Sequence, residues 1–198
     1  MAATAWLAGC ANQNLVGPST PSAHNDTLAS AQAVEEVQTR IRKLSEQGLT
    51  AANYSVAKAQ CWLDTAWSQY SENDRSGFPE EALAESAAIV RALEVDKASK
   101  AGFSTPFIVR STKIREDLWS RLQDYKTRTA SLACTARHVA CAEVHLVRAG
   151  HALNETGWRQ ATPYVDMAED ALRRAAAAAA RCNAPTAQLP TPDSLPLR

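Results

Sequence analysis

The sequence has few glycines and no long apolar run. Glycine occurs seven times in 198 residues, whereas alanine, leucine, glutamate and arginine, which are good helix formers, are common. This composition favours helices over strands. No run approaches the roughly 18 apolar residues that a membrane-spanning helix needs, so the sequence predicts no transmembrane helix.

A net charge is also missing, because 21 basic residues balance 21 acidic ones. Nucleic acids attract proteins in which Lys and Arg are in excess on one face. We therefore expect no nucleic-acid partner, and an anionic membrane surface is an equally poor match.

Motifs of common catalytic and cofactor sites are absent as well. There is no CxxC, CxxCH, HExxH or glycine-rich phosphate loop, and serine and histidine occur outside any GxSxG context. The acidic residues Asp64, Glu72 and Asp74 near Arg75 are typical of a solvated turn with local ion pairs. The sequence thus predicts a protein that is not an enzyme and holds no cofactor.

What the N-terminus does contain is a match to a bacterial lipobox. Leu7-Ala8-Gly9-Cys10 fits the pattern in which the cysteine thiol takes the lipid, and a chance match in an Ala-rich terminus is the alternative. No Lys or Arg precedes Cys10, so we expect the basic part of a signal peptide to lie upstream. Because Ala11 follows the cysteine, the expected location is the periplasmic side of the outer membrane.

The chain divides into four segments. Residues 1–9 are predicted to be a signal-peptide remnant and residues 10–27 a lipidated, flexible tether rich in Asn, Gly, Pro and Ser. Residues 28–183 carry the helical pattern. Residues 184–198 contain four prolines and are predicted to be a linker or tail.

Apolar residues recur every three or four positions through the third segment, which predicts amphipathic helices. Gly102 and Pro106 interrupt the pattern and predict a loop. Whether residues 114–153 form one helix or two stays open. The helices are expected at Thr27–Gly48, Ala51–Tyr70, from Pro79, from Ser111 or Thr112 through Tyr125, across Thr129–Leu153, and from Pro163 to Asn183.

These segments predict an all-α antiparallel bundle of five or six helices built from tetratricopeptide-like hairpins. The chain also resembles itself at an offset of about 83–84 residues: Ala59 and Ala66 align with Ala142 and Ala149. A true duplication and the chance similarity of two Ala-rich hairpins both explain this match.

The segment Thr129–Leu153 places four side chains on one helical stripe: Cys134, His138, Cys141 and His145. A metal site is the first interpretation of such a stripe. However, Cys134 and His145 are about 16 Å apart along a helix, too far for both to reach one tetrahedral ion. The stripe instead favours disulfides that fix two other helices to this one, and no metal is expected.

If Cys10 is lipidated, four cysteines remain, and four cysteines allow three pairings. Cys134 and Cys182 lie almost equidistant from the turn at Gly157 and Trp158, so they face each other across an antiparallel hairpin. Cys141 is offset from Cys182 by roughly 10–12 Å, which is more than a disulfide tolerates.

The predicted disulfides are therefore Cys134–Cys182 and, by elimination, Cys61–Cys141. Two disulfides indicate an oxidising compartment. Four buried free thiols in a cytosolic protein are the alternative.

Three stretches resemble the N-terminal helical region of proteobacterial lipoproteins of the outer-membrane protein A (OmpA) family: AKAQCWLDTAWSQYSENDRSGFPEEALAESAAIV, STKIREDLWSRL and VACAEVHLVRAGHALNETGWRQATPYVDMAEDAL. The resemblance covers roughly Tyr54–Cys182, and Ala57–Asp64 and Asn73–Ser76 carry most of its specificity. It implies an envelope lipoprotein with a helical module. A separate C-terminal domain binds peptidoglycan in that family, so that function is carried over to no residue here.

We therefore expect a periplasmic, outer-membrane-anchored scaffold that presents helix grooves to another envelope protein or to copies of itself. The alternative is a structural protein that tethers the outer membrane to peptidoglycan, with this chain a truncated or split form. Peptidoglycan is then a partner only if a binding domain follows.

Overall fold

The computed structural model describes residues 30–183, and this part of the chain is entirely helical and loop. Its six helices are α1 Ala31–Glu46, α2 Tyr54–Ser71, α3 Phe78–Val95, α4 Glu116–Thr127, α5 Thr129–Thr156 and α6 Trp158–Asn183. The predicted all-α bundle of five or six helices is confirmed, while its likeness to tetratricopeptide packing stays a prediction. Within residues 30–183 no helix has the length and apolarity needed to cross a bilayer.

The predictions for residues 1–9, the tether 10–27 with its lipidated Cys10, and the tail 184–198 lie outside the described residues.

Two helical hairpins form the body of the bundle. One consists of α2 and α3 and the other of α5 and α6, and they meet where α2 packs on α5. Helix α1 covers α2 and α3, and α4 packs on α5. These two hairpins are the segments related by the 83–84-residue offset, and the aligned alanines Ala59, Ala66, Ala142 and Ala149 are all fully buried.

The helix starts follow from local sequence. The Ser30 hydroxyl accepts a hydrogen bond from Ala33 N at 3.1 Å, and the Asn53 side chain accepts from Ser55 N at 2.9 Å. Both are N-caps that satisfy otherwise unpaired backbone donors. Gly77, at φ +88°, turns the chain into α3, where Pro79 occupies the first turn.

The region 114–153 forms two helices, which break at Arg128. The first of them has its N-cap at Arg115, three or four residues later than the expected cap at Ser111 or Thr112. Ile114 precedes the helix and packs against Ala149 and Val165. This approach depends on Gly150, because a Cβ there would lie 1.9 Å from the Thr112 carbonyl oxygen.

The start of α6 also differs from the prediction. Pro163 was expected to open the helix, but the helix begins at Trp158 and Pro163 lies inside it. Gly157, at φ +91°, ends α5 and accepts hydrogen bonds from Gln160 N and Ala161 N. The chain therefore reverses in one residue, and the new helix starts before it reaches the proline.

The structure joins Cys61 to Cys141 and Cys134 to Cys182, with Cα–Cα distances of 5.2 and 6.4 Å. These are the two predicted pairs, Cys134–Cys182 from the hairpin register and Cys61–Cys141 by elimination. Cys134 and Cys182 lie at the exposed open end of the α5–α6 hairpin, whereas Cys61 is buried in α2. Helix α5 is thus covalently fixed to α2 on one side and to α6 on the other.

Replacing either cysteine pair by serines is expected to lower the free energy of unfolding by about 4 kcal/mol, because bonds that close separations of 80 and 48 residues restrict the unfolded chain. Urea unfolding of both double variants against the oxidised wild type measures this effect. An unchanged unfolding midpoint in Cys61→Ser/Cys141→Ser would contradict the structural role of that bond.

Candidate functional site

A long groove runs along α5 on the side between α2 and α6. Both helices pack on α5 but scarcely on each other. One face of α5 therefore stays uncovered between them and forms the floor of the groove. Two adjoining cavities of about 310 and 510 Å³ follow this face. The floor residues recur every three or four positions over about 28 Å and are Arg137, Cys141, His145, Arg148, Ala152 and Thr156. We call this feature the α5 groove.

The narrow part of the α5 groove passes over the Cys61–Cys141 disulfide. Asp64 on α2 and Arg137 on α5 line it on both sides of the bond. Further along, Met167 on α6 keeps 46% of its surface exposed. This part therefore offers opposite charges at one end and an accessible apolar side chain at the other.

His138 and His145, the two histidines of the predicted stripe, lie on or beside this face. Burial lowers the pKa of His145 to about 4, so it is neutral at pH 7. Partial burial and the charges of Arg174 and Arg137 lower the pKa of His138. Across residues 30–183, no group of three or more His, Cys, Asp or Glu side chains is arranged to hold a metal ion.

The groove opens into its largest cavity, the wide cleft, where the α2–α3 turn faces the α5–α6 turn. Arg148 forms the cleft floor. Its guanidinium carbon lies 5.1 Å from the ring centre of Phe78 and 4.9 Å from that of Tyr164. Its Nη2 is 3.7 Å from Asp74 Oδ2, so the turn at residues 72–77 makes a long-range ion pair. The local ion pairs with Arg75 that the sequence suggested do not form among the described residues, where Arg75 contacts Asn73 instead.

A chain of hydrogen bonds fixes the wall of the wide cleft. His151, which is almost fully buried, lies 3.0 Å from both the Val109 carbonyl and Ser76 Oγ. Because a carbonyl only accepts, His151 Nδ1 donates to it, and Ser76 then donates its proton to Nε2. Burial lowers the pKa of His151, so this neutral arrangement is favoured and ties both loops to α5.

On the opposite face of α5, Glu143 is the centre of a buried ionic cluster. Its carboxylate accepts from Lys58 Nζ at 2.6 Å, Lys126 Nζ at 2.8 Å and Thr105 Oγ1 at 3.1 Å, and also from the Tyr54 hydroxyl. Lys58 and Glu143 have 0% and 2% of their side chains exposed. The Glu143 cluster thereby connects α2, α4, α5 and the loop before α4.

Each charge in the Glu143 cluster depends on the others. Burial alone would raise the pKa of the Glu143 carboxyl, but the ammonium groups of Lys58 and Lys126 outweigh it and hold that pKa below its ordinary value. Burial lowers the pKa of Lys58 to about 8 despite the adjacent carboxylate, and burial together with Glu143 raises the pKa of Tyr54. The cluster is therefore a structural core feature.

Sequence reasoning found the disulfides but missed this cluster and Arg148. A usable signal was present, because Lys58 and Glu143 are single charged residues inside otherwise apolar helical stretches, where an unpaired charge is rarely tolerated. Nothing in the sequence indicates that the two are partners.

No family model, curated protein or solved structure matches this chain.

The substitution Glu143→Gln is expected to lower the free energy of unfolding by about 3–5 kcal/mol, because it leaves the Lys58 charge buried without a counter-charge. Glu94→Gln is the matched control. Its partner Arg40 lies at the surface, so a loss below about 1 kcal/mol is expected there. If urea unfolding at pH 7 shows that Glu143→Gln and Glu94→Gln lose the same free energy of unfolding, the role of Glu143 as a buried counter-charge is contradicted.

The loss of stability caused by Glu143→Gln depends on pH. The pKa of folded Glu143 lies below the ordinary value of 4.5, so the carboxylate stabilises the fold above that value and less as the pH falls through the folded pKa. The stability difference between wild type and Glu143→Gln should therefore shrink below pH 4.5.

Proposed function

We propose that this protein is a non-catalytic interaction module on the periplasmic side of the outer membrane, anchored by lipid on Cys10. It binds an extended or helical segment of another envelope protein in the α5 groove. The observation that carries the proposal is the groove itself, which follows α5 for about 28 Å between α2 and α6. These two helices meet across it at one point, where Gln69 Nε2 donates to the Tyr164 hydroxyl at 3.4 Å.

The groove has the dimensions and chemistry of a peptide site. About eight extended residues or five helical turns span its length. Its walls combine charged groups, such as Arg137 and Asp64, with apolar surface from Met167 and Tyr164. Peptide grooves generally combine pockets for apolar anchors with a polar rim.

The cysteine pairs support an oxidising compartment. Both pairs lie within the Cα separation that a disulfide requires, and such bonds persist in the periplasm but seldom in the cytosol. This is independent of the lipobox at Leu7–Cys10, which points to the same compartment.

The resemblance to OmpA-family lipoproteins supports a cell-envelope role. Its two most specific motifs coincide with structural sites: Lys58 belongs to the Glu143 cluster, and Asp74 and Ser76 line the wide cleft. The second candidate function, a tether between the outer membrane and peptidoglycan through a following domain, rests on this resemblance alone.

A photo-reactive amino acid at Ser68, on the groove wall, is expected to give a discrete cross-linked product in intact cells. The same probe at Ala88, exposed on α3, is the matched control and should not give that product. A second substitution that fills the groove, Thr65→Trp, should remove the product. Identical products at Ser68 and Ala88, or a product that survives Thr65→Trp, would refute the groove as the binding surface.

Cell fractionation tests the anchor. The wild-type chain is expected in the outer-membrane fraction, with an acyl adduct on a fragment that starts at Cys10. Cys10→Ser should move the protein out of that fraction and remove the adduct. Wild-type protein that carries no acyl group would overturn the anchor without affecting the groove.

A further inference from the structure

The geometry points to the wide cleft as a binding site for the C-terminal carboxylate of the segment that occupies the α5 groove, with Arg148 as the residue that binds it. This inference rests on the proposed function, because it names the part of the partner that the groove recognises.

Arg148 is held ready for such a ligand. Only 12% of its side chain is exposed, and its guanidinium lies against the rings of Phe78 and Tyr164. Asp74 Oδ2 approaches its Nη2 only to 3.7 Å. The Nε is buried without a hydrogen-bond partner among the described residues and is out of a ligand's reach. The two terminal Nη groups, whose planar arrangement matches a carboxylate, are therefore the donors that remain for a ligand.

The charges around Arg148 select the type of anion. Arg148 and Arg159 are the cations of the wide cleft, whereas Glu72, Asp74 and Glu155 are its anions. The surplus of negative charge opposes any anion, and a phosphate dianion more strongly than a singly charged carboxylate. The attraction for a carboxylate therefore comes from close contact with Arg148 and Arg159 alone. The same acidic groups accept hydrogen bonds from backbone N–H groups, which a peptide end supplies and a free inorganic anion does not.

The position and size of the wide cleft also fit a chain end. Its volume of about 510 Å³ is within the range of about 300–1,000 Å³ that small-ligand sites occupy. Arg148 lines both the wide cleft and the narrow part of the groove. A segment that lies along α5 reaches Arg148 where the groove widens once the 3.4 Å hydrogen bond from Gln69 to Tyr164, which crosses the groove there, opens, and its terminal residues then have room in the cleft.

The test selects heptapeptides on the full oxidised chain from two random libraries, one displayed with a free C-terminus and one with a free N-terminus. We expect enrichment only in the first library. A synthetic selected peptide should bind at least about tenfold more tightly than its C-terminal amide in calorimetric titration, since a desolvated charge pair is lost in the amide.

Three variants assign the effect to the cleft. Arg148→Lys keeps the charge but removes the planar fork, so it should weaken the free peptide and leave the amide unchanged, with thermal unfolding as the check on folding. Arg159→Gln, on the exposed rim, should weaken the free peptide without affecting the fold. Arg173→Gln on the same helix, exposed and outside the cleft, is the matched control and should change nothing.

Equal binding of the acid and the amide, or no preference for the free C-terminal library, would overturn the carboxylate site. The proposed function is tested separately from the carboxylate site. Peptides that bind equally as acid and amide, but compete with cross-linking at Ser68, would overturn the carboxylate site alone and leave the α5 groove as a binding surface.

Discussion

The buried carboxylate of Glu143 is the contact on which the arrangement of this bundle depends. A single charge at that depth is strongly destabilising unless it is paired and hydrogen-bonded, and its partners Lys58, Lys126 and Thr105 come from three other parts of the chain. Helices α2 and α4 and the loop before α4 must therefore all contact α5 at the same position along its axis, next to Glu143. Hydrophobic packing alone is less specific about register, because neighbouring apolar positions on a helix are nearly equivalent.

The three strongest attachments of the fold all involve α5. The Glu143 cluster holds one face of the helix, while the disulfides at Cys141 and Cys134 join it to α2 and α6. Because α2 and α6 are each fixed to α5, neither has to pack on the other. The remaining face of α5 is consequently free to form a groove with rigid walls, and rigid walls reduce the entropy lost when a ligand binds.

Much of the fold follows from the sequence, and the exceptions have identifiable physical causes. Helical periodicity predicts the helices and hairpin register predicts Cys134–Cys182, because both depend on spacing along the chain, and Cys61–Cys141 then follows by elimination. The start of α4 depends on the passage of the Thr112 backbone over Gly150, and the partners of Glu143 and Arg148 depend on packing between distant segments. Such long-range contacts can be suspected from a lone charged residue in an apolar helix, but the sequence does not indicate which residue is its partner.

Helix α5 is fixed to α2 through Cys61 and to α6 through Cys182. Peptide mapping by mass spectrometry, on protein purified from its native cells with thiols blocked and no reductant, checks both bonds. We expect linked peptides for Cys61 with Cys141 and for Cys134 with Cys182, and no blocked thiol at these four positions. Blocked thiols there, or a link between Cys61 and either Cys134 or Cys182, would contradict this arrangement.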